Sequence, residues 1–202
     1  MVIEQHTPFA TPIFTIQYGG TKIIKSHQEL KNKALSLAKE NNGRVVSNIN
    51  GFQSNEFKMN DPLVNKFYFE ILPVIQQYVT LFQISCNYDT NLNNLWYNVN
   101  GKYSYNHNHS HAGCAISGVY YLNTPENCGD ICFDNPDRTM QAIPFYNGPF
   151  KQYNEFNSDF FGITPKEGLM ILFPSHIFHR VDMNNSDENR ISVAFNIEVK
   201  KG

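Results

Sequence analysis

Five of the seven histidines lie in two short stretches, and this concentration is the clearest chemical signal in the sequence. His107, His109 and His111 alternate with polar residues in the segment NHNHSH. His176 and His179 follow far downstream, in the segment FPSHIFHR. Residues two apart in an extended strand point to the same face, so the alternating imidazoles are expected to lie side by side. Because neutral imidazole is the commonest metal ligand in proteins, the pattern predicts a metal site rather than isolated hydrogen-bonded histidines.

A pair of ligands on one strand and a single histidine on a later strand is the arrangement of a facial metal triad. Protein groups then occupy one face of the metal and leave the other open, and non-haem Fe(II) oxygenases use two histidines and one carboxylate in this way. Arg190 lies eleven positions after His179, and Ser192 follows it on the same strand face. A buried arginine needs an anionic partner, because an unpaired buried charge is costly. That partner is either the distal carboxylate of a dicarboxylic acid or a hairpin aspartate, Asp182 or Asp187.

The composition is typical of a β-rich globular domain. The chain has 202 residues, enough for one substantial domain with its own core, and it contains 16 Phe and 11 Tyr. A formal net charge of −2 gives no sign of a general surface for nucleic acid or membranes. No apolar run is long enough to cross a bilayer, and the N-terminal residues lack the basic and apolar regions of a secretory signal.

The lack of a secretory signal in the N-terminal residues also bears on the state of the cysteines. They could pair, but reduced thiols in a cytoplasmic protein are the expectation. The C-x-x-x-C spacing of Cys128 and Cys132 is not a convincing zinc motif by itself. Cys132 is expected to face the core as a small hydrophobic residue. The four cysteines are Cys86, Cys114, Cys128 and Cys132.

Two helices are predicted ahead of a series of strands. A first strand is expected over 12–18, and an amphipathic helix begins at Ser26. A second helix is predicted from Asp61 to about Phe82, and Pro73 is expected to bend or divide it. About eight strands in all argue for helices packed on a β-sandwich or jelly roll. The later strands are predicted over 93–99, 104–111, 115–122, 129–133, 168–173, 177–183 and 189–199.

A long aromatic and asparagine-rich loop is predicted over 141–161, and loops of this length often cover a site. Its aromatic residues are expected to form either a substrate lid or a simple hydrophobic flap over the mouth of the barrel. They are Phe145, Tyr146, Phe150 and Tyr153.

Four motifs in order carry a family resemblance: N-x-x-H-x-H, SGVYYL, GxxxLFPSxxxH and R-x-S-x-x-F-N. With TPIF near the start, they resemble the 2-oxoglutarate–Fe(II) oxygenases of the double-stranded β-helix superfamily, closest to a bacterial and phage group and, more distantly, similar to the prolyl hydroxylases. The resemblance spans nearly the whole chain and is specific only in combination. It implies a mainly β (α+β) fold, a double-stranded β-helix or jelly roll with N-terminal helices packed on one sheet. It also implies one domain over 1–202, with a helical part over 1–87 and a β core over 88–202.

The resemblance assigns the metal ligands by position. His109 and His111 match the first ligand pair, and His179 matches the distal ligand of the iron. His111 stands where the wider superfamily has a carboxylate, which is a departure from the pattern. His107 is an alternative to His111, since His107 and His109 form an equally good H-x-H pair. Asp134 is the candidate for a replacement carboxylate.

The resemblance likewise assigns the residues that hold 2-oxoglutarate. Arg190 and Ser192 match the clamp for the far carboxylate, and Arg190 counts with the three histidines among the catalytic residues. Tyr121 matches the cofactor-binding tyrosine, which leaves Tyr120 facing the other side of the strand. Asn98 and Asn106 are expected either to add polar contacts near the metal or to be polar residues of a turn or strand edge, and Asn98 is counted among the residues that bind the cosubstrate.

The implied function is an Fe(II)- and 2-oxoglutarate-dependent dioxygenase that hydroxylates an unidentified substrate and decarboxylates 2-oxoglutarate to succinate. Its expected partners are O2 and a small-molecule or peptide substrate, with no nucleic acid and no membrane, and the sequence leaves a homo-oligomer open. One alternative is a cupin-like three-histidine metal protein that does not use 2-oxoglutarate, such as a thiol dioxygenase or an isomerase. Another is a non-enzymatic binding module with the same fold. The spacing of Arg190 and Ser192 from His179 favours the oxygenase.

Overall fold

Two antiparallel β-sheets face each other, and two helices cover the outer surface of the larger sheet. The structure is a computed structural model that describes residues 10–20, 23–84, 87–136, 152, 154 and 157–201. The predicted lid aromatics Phe145, Tyr146, Phe150 and Tyr153 lie outside these described residues. Within them, the expected mainly β architecture with N-terminal helices on one sheet is confirmed.

The strands, numbered in chain order, pair in antiparallel fashion throughout both sheets. The six-stranded sheet has the order β1 (Phe14–Gln17), β9 (Leu169–Pro174), β6 (Ile116–Asn123), β11 (Arg190–Lys201), β4 (Tyr88–Asn100) and β3 (Phe52–Gln53). The five-stranded sheet has the order β2 (Asn48–Ile49), β5 (Tyr105–His109), β10 (His179–Val181), β7 (Ile131–Asp134) and β8 (Phe160–Ile163). The predicted strands are present, although several boundaries shift.

Three strands are missing from the sequence prediction. Strands β2 and β3 have two residues each, which is too short for a readable alternation of polar and apolar residues. Strand β8 begins inside the segment predicted as a loop, and its first three residues are exposed, so burial left no alternating pattern there. All three pair with longer strands, and that pairing depends on long-range contacts.

The alternation along β6 separates two hydrophobic cores. Tyr120 and Leu122 point towards the helices and belong to the larger core. Val119 and Tyr121 point towards the other sheet and belong to the smaller core between the sheets. The expectation that Tyr120 and Tyr121 face opposite sides is therefore confirmed, and Tyr121 faces the space between the sheets, where the site residues lie.

Helix α1 (His27–Glu40) begins after Ser26, but Ser26 does not cap it as expected. The backbone of Ser26 is already helical, with φ −77° and ψ −6°, whereas a capping residue is usually extended. Its hydroxyl instead donates to Oε2 of Glu70 at 2.6 Å, which links α1 to the second helix. The helix buries Leu30 and Ala34 in the larger core, as its pattern predicts.

Helix α2 (Pro62–Thr80) begins with the expected cap, because the carboxylate of Asp61 accepts hydrogen bonds from the N–H groups of Leu63 and Val64 at 2.9 and 3.2 Å. The helix continues through Pro73, so of the two expected effects proline does not divide it, and a bend there stays a prediction. Proline removes a hydrogen bond to the carbonyl four residues earlier, that of Phe69. Both residues lie on the exposed face, where water can solvate that carbonyl. The opposite face stays packed in the larger core.

Neither described helix combines the length and the apolar character that crossing a membrane requires. Three of the four cysteines fall within the described residues, and all three are free thiols. Cys132 is 2% exposed, which confirms that it is buried, but it lies on the face of β7 opposite to Ile131 and Phe133, with its thiol 3.4 Å from Oδ2 of Asp182. The expectation of a single domain over 1–202 stays a prediction.

Replacing Asp61 by alanine should destabilise the protein by about 1 kcal/mol, because the first turn of α2 loses its cap. Asp61→Asn is the matched control, since asparagine caps about as well as aspartate. Urea unfolding of metal-free protein, followed by circular dichroism, measures both variants. An Asp61→Ala protein with the stability of the unsubstituted chain would show that the cap contributes nothing.

Candidate active site

Three imidazoles converge on the cavity between the two sheets. His109 on β5 lies directly opposite His179 on β10 in the antiparallel register, and His111 follows two residues after the end of β5. One ring nitrogen from each residue lies within 4.8 Å of the other two. The ring centroids of His109 and His179 are 4.4 Å apart. Among the described residues, this is the only group of three or more side chains arranged to hold a metal ion.

Backbone carbonyls set the orientation of two of the rings. Nδ1 of His109 lies 2.7 Å from the carbonyl oxygen of His107, and Nδ1 of His179 lies 3.0 Å from that of Ile177. A carbonyl accepts only from a protonated nitrogen, so the proton of each neutral ring sits on Nδ1. The lone pair of Nε2 is then available as a metal ligand, which is the usual division of roles for a ligating histidine.

Burial makes all three imidazoles hard to protonate. It lowers the pKa of His109, lowers the pKa of His111 to about 4 and lowers the pKa of His179 to about 3. The neighbouring imidazoles act in the same direction on His111 and His179. His179 is 4% exposed and packs edge-on against Phe173, with ring centroids 4.8 Å apart. All three rings are therefore neutral at neutral pH, which is the form that binds a metal.

His111, not His107, joins the cluster. The N–H of His111 donates to the carbonyl of Ser175 at 2.8 Å, which holds the residue beyond the end of the strand. Its ring lies beside Trp96, with centroids 5.5 Å apart. His107 is exposed and contributes no atom to the group. His176, the other histidine of the downstream stretch, is also exposed and outside the group.

Asp134 does not supply the replacement carboxylate. Its neighbour Phe133 points towards His179, so Asp134 points to the opposite face of β7. Its carboxylate accepts a hydrogen bond from Nδ2 of Asn108 at 2.6 Å and lies 3.4 Å from Nη1 of Arg180. No atom of Asp134 belongs to the group of metal-binding size.

Arg190 is 3% exposed and is held by backbone oxygens rather than by a carboxylate. Its Nη1 donates to the carbonyls of Cys128 and, at 3.2 Å, of Asp182. No described carboxylate lies within salt-bridge distance of the guanidinium, and Asp187 instead pairs with Lys102 at 2.7 Å. The hairpin salt bridge considered from the sequence is therefore absent. Burial lowers the pKa of Arg190, and its buried Nη2 has no hydrogen-bond partner among the described residues.

A cavity of about 490 Å³ is lined by the four residues expected to hold 2-oxoglutarate, which are Arg190, Ser192, Tyr121 and Asn98. On its floor, Asn98, Ser192 and Tyr121 lie opposite one another on β4, β11 and β6, and Arg190 lies opposite Asn100 one row further on. Burial raises the pKa of Tyr121, so its phenol remains a hydrogen-bond donor. The same cavity is lined by His109, His111 and His179.

Sequence reasoning missed other residues that line this cavity. Trp96 lies two residues before Asn98 on the same strand face, so the period-two alternation could have identified it. Ser47 lies beside β2, and its hydroxyl is 3.4 Å from Nε2 of His109. Gln53 lies on β3 opposite Asn98. Neither Ser47 nor Gln53 carries a motif, and only the pairing of two short strands brings them here.

The side chains fit both groups that the family resemblance implies. Three neutral imidazoles that leave one face of a metal open suit a divalent ion such as Fe(II). The unpaired Nη2 of buried Arg190 suits a carboxylate, because a planar guanidinium binds carboxylate oxygens with paired hydrogen bonds. The two features share one cavity, as a bidentate 2-oxo acid would require.

Solved structures of low sequence identity share the fold. A prolyl-4-hydroxylase from Pseudomonas putida has 11% identity and a TM-score of 0.60, with 92% of each chain covered. A prolyl hydroxylase from Trichoplax adhaerens, bound to a hypoxia inducible factor peptide fragment, has 15% identity and a TM-score of 0.60 over 92% of this chain and 83% of that chain. HygX from Streptomyces hygroscopicus, with nickel and 2-oxoglutarate bound, has 10% identity and a TM-score of 0.59 over 93% and 83%. These likenesses confirm the double-stranded β-helix fold.

The family is shown by sequence. The chain has no match among curated proteins. Residues 94–196, just over half of the chain, match the family model described as "Putative 2OG-Fe(II) oxygenase". The matched segment contains the three clustered histidines, Arg190 and the strands that carry them. The chain therefore belongs to the 2OG-Fe(II) oxygenase family, and it is an oxidoreductase that depends on Fe(II) and 2-oxoglutarate.

Proposed function

We propose that this oxygenase hydroxylates its substrate at an iron held by His109, His111 and His179, with 2-oxoglutarate held by Arg190. The observation that carries the proposal is one cavity that combines three neutral imidazoles with a buried, half-satisfied guanidinium. Bound together, iron(II) and 2-oxoglutarate supply the oxidation: O2 is consumed, 2-oxoglutarate becomes succinate and CO2, and one oxygen atom enters the substrate as a hydroxyl group.

The imidazoles are prepared for the metal before it binds. The carbonyls of His107 and Ile177 hold Nδ1 of His109 and His179, so neither ring has to reorient or change tautomer. Their lowered pKa values remove most proton competition at neutral pH. His111 takes the place of the superfamily's carboxylate, so this ligand set brings no negative charge to the metal.

Four side chains are proposed to hold the cosubstrate. Nη2 of Arg190 donates to its far carboxylate, while Nη1 stays bound to backbone carbonyls and keeps the guanidinium in place. The phenol of Tyr121 and the hydroxyl of Ser192 lie opposite each other in the register and donate from the adjoining row. Asn98 extends that row by one strand. Its amide nitrogen is proposed to donate as well.

Apolar side chains keep the reacting region dry. Phe173 packs edge-on against His179, Phe133 lies beside both of these rings, and Trp96 lies beside His111. Exclusion of water strengthens the electrostatic contacts of the bound cosubstrate and limits side reactions. The substrate is a small molecule or a peptide; the Trichoplax neighbour, whose structure holds a peptide fragment, supports the second of these.

Removing one clustered imidazole should remove the metal. His179→Ala protein is expected to lose its iron, because a facial site has three protein ligands and loss of one sacrifices much of the affinity. His107→Ala is the matched control, since His107 is exposed and outside the cluster, and it should keep its iron. Metal content after anaerobic loading and desalting measures both. Unchanged iron in His179→Ala, or equal loss in both variants, would contradict the ligand assignment.

Arg190→Leu should retain iron and bind 2-oxoglutarate about thirty-fold or more weakly. Loss of one partner of a desolvated charge pair costs roughly 2–5 kcal/mol, and leucine keeps the position apolar so that β11 still packs. The measurement is an anaerobic titration of the Fe(II) protein with 2-oxoglutarate, followed by the visible charge-transfer band. Arg180→Leu is the control, because Arg180 pairs with Asp134 and Asp182 outside the cavity lining.

Unchanged 2-oxoglutarate binding in iron-loaded Arg190→Leu protein would refute the clamp. That outcome would favour the second candidate, a cupin-like three-histidine metal protein that does not use 2-oxoglutarate. One observation speaks for that candidate: the cluster of His109, His111 and His179 contains no carboxylate.

A further inference from the structure

Two neighbouring carboxamides in the cavity have buried oxygens without partners. Gln53 is 4% exposed, and its Oε1 accepts no hydrogen bond from any described residue. Oδ1 of Asn98 is buried and equally without a described partner. The two residues face each other in the β3–β4 register, and both line the cavity. A buried polar atom without a partner costs free energy, so two together indicate a place where a ligand supplies hydrogens.

Gln53 lies too far across the sheet to serve the cosubstrate beside Tyr121. The register runs Tyr121, Ser192, Asn98, Gln53 over four adjacent strands. Three strand spacings of about 4.8 Å separate the two ends by about 14 Å, well beyond the length of a five-carbon acid. Moreover, 2-oxoglutarate is an anion without N–H or O–H groups, so it offers nothing to a carboxamide oxygen. Asn98 lies between the cosubstrate region and Gln53. Its amide nitrogen is proposed to donate to the cosubstrate, and its buried oxygen is left for another ligand.

The same edge of the cavity lies beside the metal cluster. The segment 47–53 crosses from the smaller sheet, through β2, to the larger sheet, at β3. Ser47 at its start lies 3.4 Å from Nε2 of His109, and Gln53 at its end faces Asn98. The N–H of Arg44 also donates to the carbonyl of Gln53 at 2.7 Å, which fixes the backbone of β3. A ligand held by Gln53 therefore lies in the same cavity as the proposed iron position.

The charge of the cavity restricts what that ligand can be. Eight carboxamides line it, whereas its charged side chains, apart from histidines, are Arg44, Glu56 and Arg190 among the described residues. Arg44 and Glu56 pair with each other at 3.1 Å through Nη1, while the buried Nε of Arg44 has no partner among the described residues, and Arg190 serves the cosubstrate in the proposed function. The lining thus keeps no unpaired charge for a substrate. The eight are Gln53, Asn93, Asn94, Asn98, Asn100, Asn106, Asn108 and Asn196.

We propose that the substrate presents a neutral N–H or O–H group, an amide or an alcohol, which donates to Oε1 of Gln53, to Oδ1 of Asn98 or, for a primary amide, to both. This inference rests on the proposed function and names the substrate class of that site. A carboxylate has only acceptor oxygens, so it cannot donate a hydrogen bond to either of the two carboxamide oxygens. An ammonium group would lose its hydration on entering the cavity, and the described lining has no unpaired carboxylate to compensate for that loss. A primary amide has two N–H hydrogens and satisfies both buried oxygens, whereas an alcohol has one O–H hydrogen and satisfies one of them; neither leaves a charge unpaired.

Small probes with a common three-carbon chain test the inference on the anaerobic Fe(II)–2-oxoglutarate protein. Propionamide and 1-propanol carry a neutral donor, N,N-dimethylpropionamide lacks it, and propionate and propylammonium carry a charge. A change in the wavelength of the visible charge-transfer band reports the binding of each probe. Propionamide, 1-propanol or both should bind about tenfold or more tightly than the other three, the difference expected for one buried hydrogen-bonding partner. Tighter binding of propionamide would indicate an amide substrate, and tighter binding of 1-propanol would indicate an alcohol.

Variants of Gln53 locate the effect. Gln53→Leu should weaken the binding of propionamide and 1-propanol about tenfold. Gln53→Glu keeps the shape of the side chain and should shift the binding preference towards propylammonium. Both should bind iron and 2-oxoglutarate normally. Gln28→Leu is the control, because Gln28 is exposed on α1 and does not line the cavity.

Other outcomes would overturn the inference. Preference for a charged probe or for dimethylpropionamide, or unchanged probe affinities in Gln53→Leu, would exclude the neutral-donor site. Weaker 2-oxoglutarate binding with unchanged propionamide binding would assign Gln53 to the cosubstrate instead. Absence of the charge-transfer band from unsubstituted protein would contradict the proposed function itself, a result distinct from a normal band with the wrong probe preference.

Discussion

The antiparallel pairing of β5 with β10 is the contact on which the site depends. It sets His109 directly opposite His179, although 69 residues separate them in the chain. The smaller sheet thus supplies two of the three clustered imidazoles, with His111 just beyond the end of β5, and the larger sheet supplies the floor that faces them. A shift of one residue in that register would turn one of these imidazoles to the opposite face, so packing between the sheets protects the geometry. Phe133 and Phe173, which flank His179, belong to that packing.

The helices stabilise the floor from its other side. Phe67 on α2 packs against Tyr120 and Phe195, whose neighbours on the same strands, Tyr121 and Ala194, line the cavity. Gly118 lies so close to the ring of Phe195 that a Cβ would collide with it, which shows how tightly β6 and β11 pack here. Each strand therefore has one face that anchors the fold and one that carries chemistry, and the period-two alternation keeps the two roles apart.

Burial has opposite consequences for the imidazoles and for the guanidinium in the cavity. It keeps the imidazoles neutral, which favours metal binding. It also leaves the guanidinium of Arg190 dependent on backbone carbonyls until an anion reaches Nη2. The remaining lining is dominated by carboxamides, which can donate and accept hydrogen bonds without the desolvation cost of a charge. The cavity thus favours one dianionic cosubstrate and, as proposed, a neutral substrate.

The sequence by itself determined the β-rich class, the two helices, the concentration of histidines and the approximate places of Arg190, Ser192 and Tyr121, because period-two alternation and ordered motifs are local properties. It could not choose between His107 and His111, since both lie two residues from His109 and alternation treats them alike. Tertiary structure made the choice: β5 ends at His109, and the carbonyl of Ser175 holds His111 beside the cluster while His107 stays exposed. Gln53 likewise joins the cavity only through the pairing of β3 with β4. Pairing between distant strands is decided by the packing of the whole chain, so no local pattern records it.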